Sequence, residues 1–171
     1  MKTRTSVLTG IIVITVALIL IFISCDNGGA DSYFIYDDHT YPLSAAYLGV
    51  VGPRNGAYSL SFNAFSSGID VETEKGIGEA IFISIISPTS SLAEGTYTFA
   101  ALISTTPFTF DILALLLNYN IETDWGDSYS AVDGTLTVTE VNGSTVSLEF
   151  EVTLDDGKTS TGTWSGPVTI Y

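Results

Sequence analysis

Apolar and polar residues alternate along most of the chain beyond residue 32. Tyr58, Leu60, Phe62 and Ala64 are interleaved with Ser59, Ser61 and Asn63, a period of two that predicts a strand with one buried face. Residues 80–86, AIFISII, are apolar at nearly every position and read as a central strand covered on both faces. Tyr97-Thr98-Phe99 and Phe108-Thr109-Phe110 alternate again. Residues 111–120, DILALLLNYN, contain six consecutive apolar residues that suit either a buried strand or a short helix. Pro42, Pro53, Pro88, Pro107 and many glycines punctuate the gaps, because neither residue continues a regular ladder well.

Two turn signals, Asn142-Gly143 and Asp155-Asp156-Gly157, divide residues 134–166 into three alternating runs. A two-residue turn at Asn142-Gly143 would set Val141 against Ser144 and Val138 against Ser147, apolar against polar on one face. A three-residue loop, Val141-Asn142-Gly143, instead pairs Val138 with Val146 and Leu136 with Leu148. The buried face selects that register, and Gly143 suits the left-handed third position of such a loop. The same loop length at Asp155-Asp156-Gly157 sets Leu154 opposite Lys158 and Leu148 opposite Trp164. Phe150 then lies between Gly134 and Gly162, an aromatic ring covering two residues with no side chain to pack. The pattern predicts one all-β domain over 33–171. Its expected form is an antiparallel sandwich or barrel of about eight to ten strands ending in a three-stranded meander.

The first 25 residues follow a different rule. Lys2 and Arg4 precede an apolar stretch that runs from Val7 to Ile23, seventeen residues, at the short edge of the roughly 20 needed to span a bilayer. A basic start, an apolar middle and a small residue at the end describe a secretory leader equally well. Residues 26–31 offer no Lys, Arg, Trp or Tyr to fix a helix end at an interface. Cys25, the only cysteine, stands at the boundary, directly after Ser24.

Phe22-Ile23-Ser24-Cys25 resembles the lipobox of bacterial lipoproteins, in which an apolar, a variable and a small residue precede the cysteine. The resemblance implies that residues 1–24 are a signal peptide, that cleavage falls before Cys25, and that Cys25 carries thioether-linked lipid on an acylated N-terminus. Several acyl chains together hold a protein firmly to a membrane. Residues 25–32, rich in glycine and small polar residues, read as a flexible tether. An uncleaved signal anchor is the alternative, and both place the domain outside the cytoplasm. Within the domain, Gly95-Thr96-Tyr97-Thr98-Phe99, Asp156-Gly157-Lys158 and Thr161-Gly162-Thr163-Trp164-Ser165-Gly166 resemble segments of small outer-membrane lipoproteins of Bacteroidetes. That resemblance implies location at the bacterial outer membrane and no particular site.

Charge narrows the list of partners. From Cys25 onward Arg54, Lys75 and Lys158 face all 19 acids, a net charge of −16. Such a field repels nucleic acid and anionic headgroups, since phosphate binding depends on Lys and Arg releasing counterions. A single cysteine forms no intramolecular disulfide, thiolate metal cluster or redox pair.

Catalytic residues are not evident. His39, the only histidine, lies beside Asp37 and Asp38; neighbours on an extended chain point to opposite faces, so Asp37 is the better placed to orient it. No Gly-x-Ser-x-Gly elbow presents a serine, and the chain reads as a non-enzyme. Residues 121–134 hold Glu122, Asp124, Asp127 and Asp133, oxygen ligands suited to Ca²⁺ without the spacing of an EF-hand loop. Turn-forming acids in a solvated loop explain them as well.

Trp125 stands in the same segment with Tyr129 close by, where an exposed indole would stack on a sugar or anchor a protein contact; folded back, it would cap the end of the domain. Tyr33, Tyr36, Tyr41 and Tyr47 form a second aromatic group that reads as edge packing first. The sequence thus points to a membrane-tethered, non-enzymatic binding or structural domain with a glycan or protein ligand. The alternatives are a lipocalin-like carrier with an interior cavity and a carbohydrate-binding module built on Trp125.

Overall fold

The computed structural model describes residues 32–171, and the leader, the lipidation site Cys25 and nearly all of the tether lie outside them. Over the described residues the chain is all-β. The strands are β1 (Tyr33–Tyr36), β2 (His39–Pro42), β3 (Ala45–Arg54), β4 (Ala57–Phe65), β5 (Ile69–Asp70) and β6 (Lys75–Ser87). They continue with β7 (Gly95–Phe99), β8 (Thr109–Asn120), β9 (Trp125–Asn142), β10 (Thr145–Leu154), β11 (Thr159–Pro167) and β12 (Thr169–Ile170). DILALLLNYN is strand, within β8. Twelve strands exceed the expected eight to ten because β5 and β12 are two residues each and β2 is four, too short to print an alternation.

All twelve belong to one hydrogen-bonded array, in the order β12-β3-β4-β6-β8-β7-β9-β10-β11-β1-β2, with β5 paired to β6 and β8 also paired to β9. The path does not close on itself; its ends are β12 and β2. It is also mixed rather than purely antiparallel, since β7 runs parallel to β8 and β12 parallel to β3. The first parallel pair spans only two residue pairs, Thr98–Thr109 and Phe99–Phe110. It forms because residues 100–108 loop out and return beside the strand they left, with Phe108 N–H donating to Ile86 O at 2.9 Å. The second forms because only Val168 separates β11 from β12, carrying the chain across to β3.

The sheet curls round its own inner face. Phe62 on β4 meets Trp164 on β11 edge to face, ring centroids 6.3 Å apart, although those strands are distant along the path. Phe34, Ile83, Tyr97, Phe110, Leu115 and Leu136 fill the same interior and are almost wholly buried. The central strand β6 is covered on both faces, as its unbroken apolar run predicts. Ile81, Ile83 and Ile85 enter the main core, while Ala80 and Phe82 pack with Phe65, Leu116 and Tyr119 in a second cluster. Alternate residues of one strand point to opposite sides, so this second cluster lies outside the curl, where Ile69 of β5 joins it.

The meander β9-β10-β11 has the expected strands and the expected faces, with one shift of register. Leu148 opposes Trp164 and Phe150 opposes Gly162, as read from the sequence. A Cβ on Gly162 would lie 2.5 Å from the Phe150 ring, so that glycine is where the ring sits. On the other side, Leu148 faces Val138 and Phe150 faces Leu136, leaving Gly134 opposite Val152. The loop is Gly143-Ser144, closed by Asn142 opposite Thr145, and a bulge at Thr139 restores apolar against apolar. The expected three-residue loop solved the same phase problem differently and placed β9 two residues out of register.

Pro42 and Pro53, expected between strands, lie within β2 and β3. Both occupy positions that need no donor. β2 is an end of the path, and β12 pairs only with Tyr47 and Leu48 of β3, well short of Pro53.

Candidate functional site

The outward residues of the meander form a lattice. Inward positions of β9, β10 and β11 are mostly apolar or glycine, with Ser160 the buried polar exception, so the intervening positions stand on the opposite face. Across β1, β11, β10, β9 and β7, Tyr33, Thr163, Glu149, Thr137 and Thr96 lie side by side in one row. Ile35, Thr161, Glu151, Thr135 and Thr98 form the next. Rows are about 6.8 Å apart along a strand and neighbours about 4.8 Å apart between strands. Threonine at these places has a double cause: β-branching suits the pleated surface, and the hydroxyl tolerates solvent. Some hydroxyls are already oriented. Thr96 and Thr137 Oγ1 lie 3.4 Å apart, and Thr163 donates to Leu148 O at 3.2 Å.

Two adjoining hollows, about 360 and 470 Å³, open on this face and share Thr135 and Glu151 in their walls. Tyr33 borders the first and Phe99 the second. Gly134 in the second is obligatory: its φ is +136°, and a Cβ there would strike the backbone of Glu151 and Val152. The charged residues of the hollows are Glu149, Glu151 and Asp133, with no base in either. Carboxylates accept hydrogen bonds only, whereas threonine hydroxyls accept and donate. The surface therefore suits a ligand rich in hydroxyl donors and without negative charge.

The residues singled out in the sequence are spread over other places. Trp125 begins β9 opposite Asn120 and is 68% exposed. Tyr129 does not extend it into a platform, because its ring packs on Tyr36 at 4.4 Å. That contact belongs to a clamp between two turns. Tyr36 O–H donates to Asp156 Oδ2 at 2.8 Å, and burial, then Tyr129 and Asp156, push its phenol far above the ordinary tyrosine range. Lys158 Nζ stands 5.0 Å over the Tyr36 ring and 3.0 Å from Asp37, which raises its pKa. Asp156 is held low, chiefly by the backbone N–H of Lys158.

The four acids considered for calcium do not converge. Asp124 Oδ1 accepts from Tyr119 O–H at 2.8 Å; burial and this bond push that phenol up to about 12. Asp133 accepts from Gly134 N–H at 2.8 Å and Asp127 from Asn118 at 3.5 Å, while Glu122 sits in the turn before β9. Among the described residues no three His, Cys, Asp or Glu side chains gather as a metal site. His39 is exposed, and its Nδ1 meets the backbone carbonyl of Asp37 at 2.7 Å rather than a carboxylate. Its Asp37-Asp38 turn has positive φ at both residues, the tight hairpin geometry that aspartate tolerates.

Glu149, Glu151 and the threonine rows escape a reading centred on unusual residues. The signal that finds them is the period of two used for the core, followed on its outward phase. No protein-family model matches this chain, and neither a curated protein nor a solved structure shows detectable similarity to it.

Proposed function

We propose that the chain is a lipid-anchored, non-enzymatic binding protein of the bacterial outer membrane, tethered through Cys25. Its β domain takes a neutral, hydroxyl-rich glycan across the outward face of β9, β10 and β11. The observation that carries this reading is the pair of Thr-Glu-Thr rows across three adjacent strands, with no base among them. Glycan hydroxyls donate to the two carboxylates and exchange bonds with the threonines, while Tyr33 offers a ring at the border.

Binding without turnover is supported by the surroundings of Glu149 and Glu151. They stand two residues apart on one face of β10, a pair of carboxylates of the kind that glycosidases use. A catalytic acid, however, needs an apolar pocket to keep its proton, and both side chains stand exposed among hydroxyls. An interior carrier has less support, because Trp164, Phe62, Phe34 and Phe110 occupy the space that a lipocalin-like ligand would need.

Two measurements test the proposal. Retention on immobilised neutral polysaccharides should fall at least tenfold in Thr135→Val/Thr161→Val, with acidic polysaccharides not retained and Trp125→Ala unaffected. Equal retention of parent and double variant would remove the site. For the anchor, Cys25→Ala should abolish lipid labelling and leave a longer precursor; unchanged mass and labelling would return residues 7–23 to an ordinary membrane anchor.

A further inference from the structure

Strands β6, β8 and β9 run past their neighbours at one end. The β4–β6 ladder stops at Phe65 opposite Ala80, and the β10–β9 ladder at Leu154 opposite Ala131. Beyond those points the start of β6, the end of β8 and the start of β9 project as a ledge, paired through Gly78–Tyr119, Ile77–Asn120 and Asn120–Trp125. One face of the ledge is covered. Gly76 and Gly78 let residues 66–69 cross it, where an added Cβ would strike Gly68 O or Ser66 Oγ, and Tyr119 packs there with Ile69.

The alternate residues stand on the opposite face. Ile77, Asn120 and Trp125 form one row across three strands, with Ile77 59% and Trp125 68% exposed. Farther along the same side, Leu117 and Tyr129 pack against the main core. The bare row thus continues the interior phase of the sheet past the point where the core ends. Exposed apolar side chains set together on an uncovered face mark a contact surface, and tryptophan is prominent among residues that carry binding energy.

Charge decides what the surface meets. Residues 70–79 and 117–127 contain seven acids against one base, Lys75. Glu79 follows Ile77 and Asp127 follows Trp125 at the next position of the same face. The other two bases of the described residues are engaged elsewhere. Arg54 Nη1 bonds Asp111 Oδ2 at 2.7 Å and Ser104 O at 3.4 Å, pinning the loop of residues 100–108, and Lys158 lies 3.0 Å from Asp37. A second copy brings the same net charge of −16 and is repelled, as are nucleic acid and anionic headgroups. A guanidinium or ammonium is attracted by the carboxylates and also stacks on the indole face.

We infer that the Ile77–Trp125 face docks a segment of another protein that presents arginine or lysine beside an aliphatic side chain, the cation over the indole near Asp127 and the aliphatic group on Ile77. This surface shares no residue with the threonine rows, so each can be disabled without the other.

The test titrates the full-length protein in neutral detergent with a dye-labelled peptide of four arginines alternating with four leucines, followed by fluorescence anisotropy. Trp125→Ala and Ile77→Ser should each weaken binding at least tenfold, with Trp125→Phe between them and the parent. Both side chains are exposed, so neither substitution removes core packing. Thr135→Val/Thr161→Val should leave binding within twofold. Replacing the peptide's leucines by serine should weaken it at least tenfold, and replacing its arginines by glutamate should abolish binding. Bound peptide should also reduce acrylamide quenching of tryptophan emission at least twofold, because Trp125 is exposed and Trp164 buried. Undiminished binding by Trp125→Ala, or equal binding of the serine peptide, would reduce the contact to bulk acidity and overturn the inference, as would no binding at all. Self-association in sedimentation that Trp125→Ala abolishes would assign the face to a second copy and also overturn it.

Discussion

Truncation of Trp164 to alanine is expected to lower folding stability by about 3–5 kcal/mol, the upper range for core aromatics. Its side chain is 1% exposed, stands opposite Leu148 and meets Phe62 across the interior. It therefore joins the meander to β4, a pair the hydrogen-bonded path does not connect directly. Its Nε1 donates to Gly166 O at 3.3 Å, so truncation loses a bond as well as packing. Urea unfolding followed by circular dichroism should show a lower midpoint with an unchanged slope, and Trp164→Phe should lose less. A cost under about 1 kcal/mol would mean that the curl is not held across its interior.

The second large effect is expected at Arg54. Asp111 keeps only 4% of its side chain exposed, whereas Arg54 keeps 27%. Arg54→Leu leaves a buried carboxylate with the Ser104 N–H as its remaining donor. Breaking a fully buried pair costs about 3–5 kcal/mol; the partial exposure of Arg54 brings the expected loss to about 2–3 kcal/mol. Arg54→Leu/Asp111→Leu should recover most of it, because a burial penalty disappears with the charge that caused it. A double-mutant cycle by chemical denaturation measures the coupling, and an additive result would show that the ion pair does not pin the loop. Protease cutting within residues 100–108 should rise in Arg54→Leu alone.

The faces of the strands were legible in the sequence, and their partners less so. Leu60, Phe62, Leu148 and Trp164 announce their inward side by alternation, because a buried face enforces a period of two. The register of β9 on β10 depends on one extra residue, Thr139, whose neighbours look like any other strand. β7 beside β8 and β12 beside β3 depend on where short segments return in space, which local composition does not encode.

The proposed site shows the same division. Trp125 draws the eye as an aromatic residue among acids, yet its value to a ligand depends on neighbours, and Tyr129 is engaged with Tyr36. Glu149 and Glu151 look like ordinary solvent-facing residues of one strand. They become a surface only when Thr137 and Thr163 flank Glu149, and Thr135 and Thr161 flank Glu151, from two other strands, a juxtaposition made by topology.

An open sheet has ends, and unpaired strand ends invite addition of a foreign strand. The lipid anchoring proposed above would intensify that hazard by concentrating many copies in a plane. Both rims of this sheet are poor templates. β2 is four residues long and finishes at Pro42. Beyond Leu48, β3 has a register break between Val50 and Gly52, then Pro53 and Arg54, and Tyr171 lies over Gly49. A strand arriving from a neighbouring copy meets a missing donor or a broken register within a few residues. Edge-to-edge zipping of copies into filaments is thereby disfavoured.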